Sequence, residues 1–182
     1  WVHADNPSFF IDKTINFLNW KMENHIIRKA NSSDVKDILR LLIELAVYEK
    51  DPDAVKISEK DLLDDGFGDN PRYECFIAEY NTEIVGLAFY TPRYSTWDGK
   101  TLHLEDLVVT EKMRGKGIGL SLYKSFLNEA KKQGVNRVEW SVLDWNKPAI
   151  DFYLKSGALI DDYSKWKIVR MNKSLIEKFL SS

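Results

Sequence analysis

Three glycines fall within six residues, Arg114-Gly115-Lys116-Gly117-Ile118-Gly119. They stand between an apolar stretch at 101–110 and a helix-patterned stretch that stops at Gly134. A strand that runs through glycines into a helix is an α/β connection. It gathers backbone N–H groups and the positive helix end around one point, where an anion is welcome. Gly117 and Gly119 have no side chains to block such a ligand, and Arg114 and Lys116 add charge beside it. The expected ligand is a phosphate or pyrophosphate. The spacing is not the dinucleotide fingerprint, because Leu120 stands three residues after Gly117, and no G-K-[S/T] closes a P-loop. The plainer reading is a loop that only needs flexible turns before a helix. The strand–loop–helix context favours anion binding.

The rest of the chain alternates in the same way. A short strand is expected at 25–29. Val35, Ile38, Leu39, Leu42, Leu45, Ala46 and Glu49 recur at helical spacing after a Ser32 or Ser33 cap. Ser58 with Asp61 opens a second helix that stops near Gly66. Strands are expected at 73–80 and 83–94, joined at Asn81-Thr82, and at 101–110 after the Asp98-Gly99 turn. The helix behind the glycine loop carries Leu122, Phe126 and Ala130 on one side. A strand at 137–142 follows. Asn146 then caps a helix with Pro148 in its first turn and Gly157 at its end. Strands at 158–161 and 166–171, and a last helix opened by Ser174 with Glu177, complete the order. The fold class is α/β: one domain with a mixed central sheet and helices on both faces.

Composition narrows the function. Of 182 residues, 44% are hydrophobic and 30% charged, as suits a folded domain. Lys and Arg number 26 against 28 Asp and Glu, so no basic surplus points to nucleic acid. No apolar run is long enough to span a membrane. The single cysteine, Cys75, cannot form an intramolecular disulfide and fits a reducing compartment, so the expected location is cytoplasmic. His3, His25 and His103 are scattered and no Cys pair exists, so no metal is expected. Residues 1–24 read as an N-terminal extension or an added non-native segment, with Met22 a candidate start and no secretory signal pattern. The functional domain is expected at 25–182.

Arg114-Gly115-Lys116-Gly117-Ile118-Gly119 resembles the Gln/Arg-x-x-Gly-x-Gly/Ala signature of the GCN5-related N-acetyltransferases (GNAT), which bind acetyl-CoA. A closer resemblance is to the diamine, spermidine/spermine-type, and thialysine N-acetyltransferases. It is carried by Glu44-Leu45-Ala46-Val47-Tyr48-Glu49, by Asp61-Leu62-Leu63-Asp64-Asp65-Gly66-Phe67-Gly68, by Leu104-Glu105-Asp106-Leu107-Val108-Val109, and by Trp145-Asn146-Lys147-Pro148-Ala149-Ile150-Asp151-Phe152-Tyr153. The resemblance implies a bulged, splayed central strand. It implies that Leu107, Val108 and Val109 offer backbone groups to the pantetheine arm. Arg114, Gly115, Lys116, Gly117, Ile118, Gly119 and Leu120 would cradle the pyrophosphate, with Asn146 and Ala149 on the arm's other side. It implies Glu105 at the amine end, Tyr153 as proton donor to the departing thiolate, Tyr48 and Glu49 at the amine site, and a homodimer.

An amine with a pKa near ~10.4 is nucleophilic in only about one molecule in a thousand at neutral pH, so a base is needed. Glu105 is read on the strand face of His103, Leu107 and Val109, an odd place for a carboxylate unless it meets water or a cation. The plain alternative is a surface acid on an edge strand. Tyr153 beside Phe152 reads otherwise as a packing aromatic. Cys75 reads as a buried strand residue. Asp64, Asp65, Asp161 and Asp162 could extend an acidic amine site, although such residues are usually solvated. Where the subfamily has an acidic turn before its last strand, this chain has Tyr163-Ser164-Lys165-Trp166, which leaves shorter diamines and thialysine-like amino acids open beside polyamines. The loop at 94–100 is a candidate cover for a small ligand. A protein-lysine or N-terminal acetyltransferase and a CoA-binding regulatory module are the alternatives.

Overall fold

The computed structural model describes residues 25–161 and 169–181. These divide after Ser141 into two compact units. The first holds a five-stranded sheet in the order β1 (Ile26–Lys29), β2 (Glu74–Tyr80), β3 (Glu83–Ser95), β4 (Gly99–Val109), β5 (Arg137–Glu139). The first three pairings are antiparallel and β4–β5 is parallel. Helix α1 (Val35–Tyr48) and helix α2 (Glu59–Phe67) serve one face of this sheet and α3 (Ile118–Gln133) the other. Ile38, Leu41 and Leu42 of α1 pack with Ile77, Leu87 and Val108. On the opposite face Tyr90 meets Phe126 of α3, with ring centroids 5.4 Å apart. Burial of each such side chain is worth about 1.5–3 kcal/mol.

Local chemistry sets most boundaries. Asn81 and Thr82 both take positive φ (49° and 68°), which is the twist a two-residue hairpin demands. Ser58 and Asp61 form a reciprocal capping box at α2. Gly134 closes α3 in the left-handed conformation. One helix boundary here departs from expectation. Asn31, not Ser32 or Ser33, caps a 3-10 turn at Ser32–Asp34 that leads into α1, with Asp34 returning the bond. Helix α2 ends at Phe67, beside Gly66 as expected. A Cβ on Gly66 would lie 2.2 Å from the Tyr73 ring.

The candidate cover at 94–100 is the end of the β3–β4 hairpin. Tyr94 pairs with Lys100 and Ser95 with Gly99, so only a three-residue turn remains. Cys75 is buried in β2 and its thiol is pushed up by burial.

The second unit contains α4 (Lys147–Lys155) and α5 (Lys173–Leu180). Asn146 caps α4 by accepting from the Ala149 N–H at 3.4 Å. Asn172, not Ser174, caps α5, because its side chain accepts from the Leu175 N–H. Residues 158–161 form no strand, and β5 stops at Glu139 instead of reaching 142. The expected strand at 166–171 falls partly outside the described residues and is not a strand at 169–171. The stretch 163–166, Asp162 and residues 1–24 lie outside the described residues. No helix among the described residues is long and apolar enough to cross a membrane.

Candidate active site

Strand β4 carries the site because its pairing changes along its length. Tyr90 opposes Leu104 and Phe89 opposes Asp106, so Glu105 is the extra residue of a β-bulge. On the other side, β5 pairs with β4 only as far as His103. Beyond that point no strand among the described residues covers β4. Thr110 N–H donates to Val85 O at 2.9 Å, so the alternation of an antiparallel ladder turns the backbone groups of Val108 towards Leu87. Those of Leu107 and Val109 turn to the open side. Of the three residues expected to meet an extended arm, Leu107 and Val109 turn their backbone to the open side and Val108 turns its own to Leu87.

The bulge also corrects the face assigned to Glu105. Glu105 and Asp106 line one cavity together, whereas Val109 approaches α3: its Cγ2 lies 3.6 Å from a Cβ placed on Gly119. Leu107 pairs with Ala88, on the α3 side. Glu105 therefore shares a face with His103, Asp106 and Val108.

That cavity has a volume of about 290 Å³. Leu42, Leu62, Tyr73 and Phe89 form its apolar walls. Tyr73 and Phe89 stack at 4.1 Å, and Tyr73 donates its hydroxyl to Leu62 O at 2.6 Å. Asp61, Asp65, Glu105 and Asp106 set four carboxyls against the single guanidinium of Arg72. Thr91 Oγ1 donates to Glu105 at 3.1 Å, and His103 Nε2 lies 3.8 Å from the same carboxylate. The Glu105 side chain is 46% exposed, so water reaches it. Asp106 is different. Burial, with the charges of Glu49 and Glu105, pushes its carboxyl up to about 6. Among the described residues no cation pairs with it. Asp106 was not singled out from the sequence. An acid directly after Glu105, between Leu104 on one side and Leu107, Val108 and Val109 on the other, is the signal of the bulge that turns both carboxylates to one side.

Of the expected amine-site pair, Glu49 faces Asp106 electrostatically, and partial burial raises its own carboxyl. Tyr48 does not line the cavity. Its ring lies beneath the Arg114 guanidinium at 4.5 Å. Asp65 lines the cavity, whereas Asp64 pairs with Lys60 and Asp161 is exposed.

The glycine loop fits an anion. Gly115 and Gly117 hold φ of 76° and 82°, a region closed to branched residues. Gly117 is the N-cap of α3 and makes no side-chain cap, so among the described residues the first N–H groups of that helix, at Ile118, Gly119 and Leu120, are not capped by the residue that precedes them. The first intrahelical bond runs from Ser121 N–H to Gly117 O. Lys116 lies over the Tyr80 ring at 5.7 Å, so both flanking cations rest on aromatic faces. Tyr153, in the second unit, is 8% exposed and packs edge-on to Phe152 at 5.3 Å.

Comparison with known proteins agrees with this arrangement. Residues 36–158 match the acetyltransferase (GNAT) family. The chain is 43% identical over 141 residues to a thialysine N-epsilon-acetyltransferase of Bos taurus, covering 73% of this chain and 83% of that protein. It is 32% identical over 159 residues to the Caenorhabditis elegans thialysine N-epsilon-acetyltransferase, covering 87% and 98%. It is 39% identical over 160 residues to a human spermidine/spermine N(1)-acetyltransferase-like protein, covering 84% of this chain and 23% of that one. Among solved structures, an integron cassette protein of V. cholerae superposes with a TM-score of 0.69 at 25% identity, over 88% of this chain and 99% of its own. A soil-metagenome aminoglycoside acetyltransferase superposes with 0.64 at 15% identity, over 81% and 94%, a likeness of fold alone. A bulged and half-uncovered β4, a glycine loop built for an anion and a match over two thirds of the sequence lead to one conclusion: the chain belongs to the GNAT acetyltransferase family and is an N-acetyltransferase.

Proposed function

We propose that this enzyme transfers the acetyl group of acetyl-CoA to a primary amine of a small basic molecule, a diamine or polyamine or a thialysine-like amino acid, by direct attack in a ternary complex. The observation that carries the reading is the cavity beside Glu105, with four carboxyls, one guanidinium and apolar walls. A unit charge pair at 4 Å is worth about 4 kcal/mol near a protein surface, so such a cavity selects cations. Its apolar walls suit the methylene chain between two amines. The names of the bovine and human relatives point to the same substrate class.

In this reading the acetyl donor lies along the open side of β4, its pyrophosphate on the loop 114–120 and its arm against the backbone of Leu107 and Val109; Asn146 and Ala149 enter the reading from the family resemblance alone. Glu105, open to water and held by Thr91, receives the proton of the incoming ammonium directly or through one water. The amine nitrogen then attacks the thioester carbonyl; as the N–C bond forms and the C–S bond breaks, the nitrogen sheds its second proton to water. Tyr153 donates its hydroxyl proton to the departing sulfur and is reprotonated from solvent. A phenol is about 1.5 pH units weaker as an acid than a thiol, so full transfer costs about 2 kcal/mol. The hydrogen bond that develops as the C–S bond lengthens is the larger benefit. No covalent enzyme intermediate is needed. The resemblance to the diamine enzymes adds a homodimer to the reading and the single cysteine a cytoplasmic location, and a monomeric mass at micromolar protein with full activity would remove the dimer.

A thiol-release assay with acetyl-CoA tests the function across putrescine, spermidine, thialysine, lysine and a histone-like peptide. Turnover is expected with the small diamines and thialysine. Turnover with the peptide alone would replace this reading with a protein acetyltransferase. Tight CoA binding with no turnover would replace it with a regulatory module.

A further inference from the structure

The glycine loop is held by α1 as well as by its own backbone angles. Glu44 accepts the Thr110 hydroxyl on both carboxylate oxygens, at 2.7 and 2.9 Å, and the Glu111 N–H at 3.0 Å. One turn earlier, Arg40 donates to Ile84 O at 2.6 Å and lies 3.9 Å from Glu44. One turn later, the Tyr48 ring supports the Arg114 guanidinium, whose Nε donates to Val109 O at 3.0 Å. Arg40, Glu44 and Tyr48 are spaced by four, so they form one stripe of the helix. The stripe meets the chain at the end of β4 and at the first residue of the loop.

A carboxylate near a phosphate site repels the ligand unless its charge is engaged. Here the charge is spent on a hydroxyl, a backbone N–H and Arg40. A loop with glycines at 115, 117 and 119 has much conformational freedom to lose on binding, and fixing its entry lowers that cost. We propose that Glu44 and Tyr48 are positioning residues for the acetyl donor: they set the path of residues 110–114 so that the loop N–H groups converge before the pyrophosphate arrives. Tyr48 thereby serves the donor side of the reaction. The inference rests on the family's use of acetyl-CoA and is independent of which amine is the acceptor.

The test combines CoA calorimetry with steady-state kinetics on the whole chain. Glu44→Ala loses charge-assisted bonds and is expected to weaken CoA binding about tenfold while the amine KM, at saturating acetyl-CoA, stays within about twofold. Glu44→Gln recovers most of the loss, because its amide accepts from Glu111 N–H and donates to Thr110 Oγ1. Thr110→Val breaks the same contact from the other side and serves if Glu44→Ala does not fold; the double variant is no worse than the poorer single. Tyr48→Leu weakens CoA binding and Tyr48→Phe restores it. Unchanged CoA affinity in folded Glu44→Ala or Thr110→Val, or parallel rises in both KM values, would overturn the proposal. A native chain that does not bind CoA would overturn the cosubstrate reading, and this proposal with it.

Discussion

Replacing Asp106 by Asn separates what this acid costs the fold from what it offers the substrate. Its carboxyl titrates at about 6 in the native protein, where an unperturbed aspartate titrates at 3.8, and burial is the main cause. At ~1.4 kcal/mol per pH unit, the ionised native form is destabilised by about 3 kcal/mol. The sign follows from proton counts. Between pH 4 and pH 6 the native state holds a proton that the unfolded chain has released, so stability falls as pH rises through that window. Below 3.8 both states are protonated and the cost vanishes; above 6 it is fully present. Asp106→Asn removes the charge at nearly constant shape. Urea unfolding at pH 7.5 is therefore expected to show the variant more stable by about 2–3 kcal/mol, and at pH 4 by less than about 1 kcal/mol. The same variant loses amine affinity, because an unpaired, half-buried carboxylate is where an ammonium would be most favourably held. An equal stability change at both pH values, or a less stable variant at pH 7.5, would refute the argument that this group is ionised and uncompensated in the free enzyme.

Gly117→Val places a branched side chain at φ 82° and is expected to abolish CoA binding by calorimetry, whereas Gly119→Ala, whose Cβ would sit in ordinary contact 3.6 Å from Val109, retains it. Gly66→Ala drives a methyl group into the Tyr73 ring and is expected to lower stability by about 1–3 kcal/mol in denaturant unfolding, with the Tyr73–Phe89 stack and the cavity wall disturbed. Tyr153→Phe keeps the ring and its contact with Phe152, so CoA affinity is expected to survive while kcat falls about 10²–10⁴-fold in initial-rate assays.

What the sequence determined by itself was local. The capping box of Ser58 and Asp61, the cap at Asn146, the positive-φ turn at Asn81-Thr82 and the glycine loop each depend on a few neighbouring residues. Their conformational preferences act over one turn of chain, so the order β-α-α-β-β-β-α-β-α is legible in the residues alone. The shape of the glycine loop was legible for the same reason: glycines that open a helix, with two cations beside them, are contiguous residues. The surroundings of Glu105 were not. Whether Glu105 shares a face with Leu107 or with Asp106 depends on one bulge, and the bulge exists only when β4 is laid against Phe89 and Tyr90 of β3. The raised carboxyl of Asp106 needs Leu42, Tyr73 and Phe89, residues far apart in the chain, to exclude water from it. The open side of β4 follows from β5 ending at Glu139, where residues read as strand to 142 part from their neighbour. Glu44 looked like any acid on a helix until packing set it 2.7 Å from Thr110, sixty-six positions along the chain. Periodicity reports which face of an element is apolar; which partner that face meets, and where a strand is left unpaired, is decided by contacts across the whole fold.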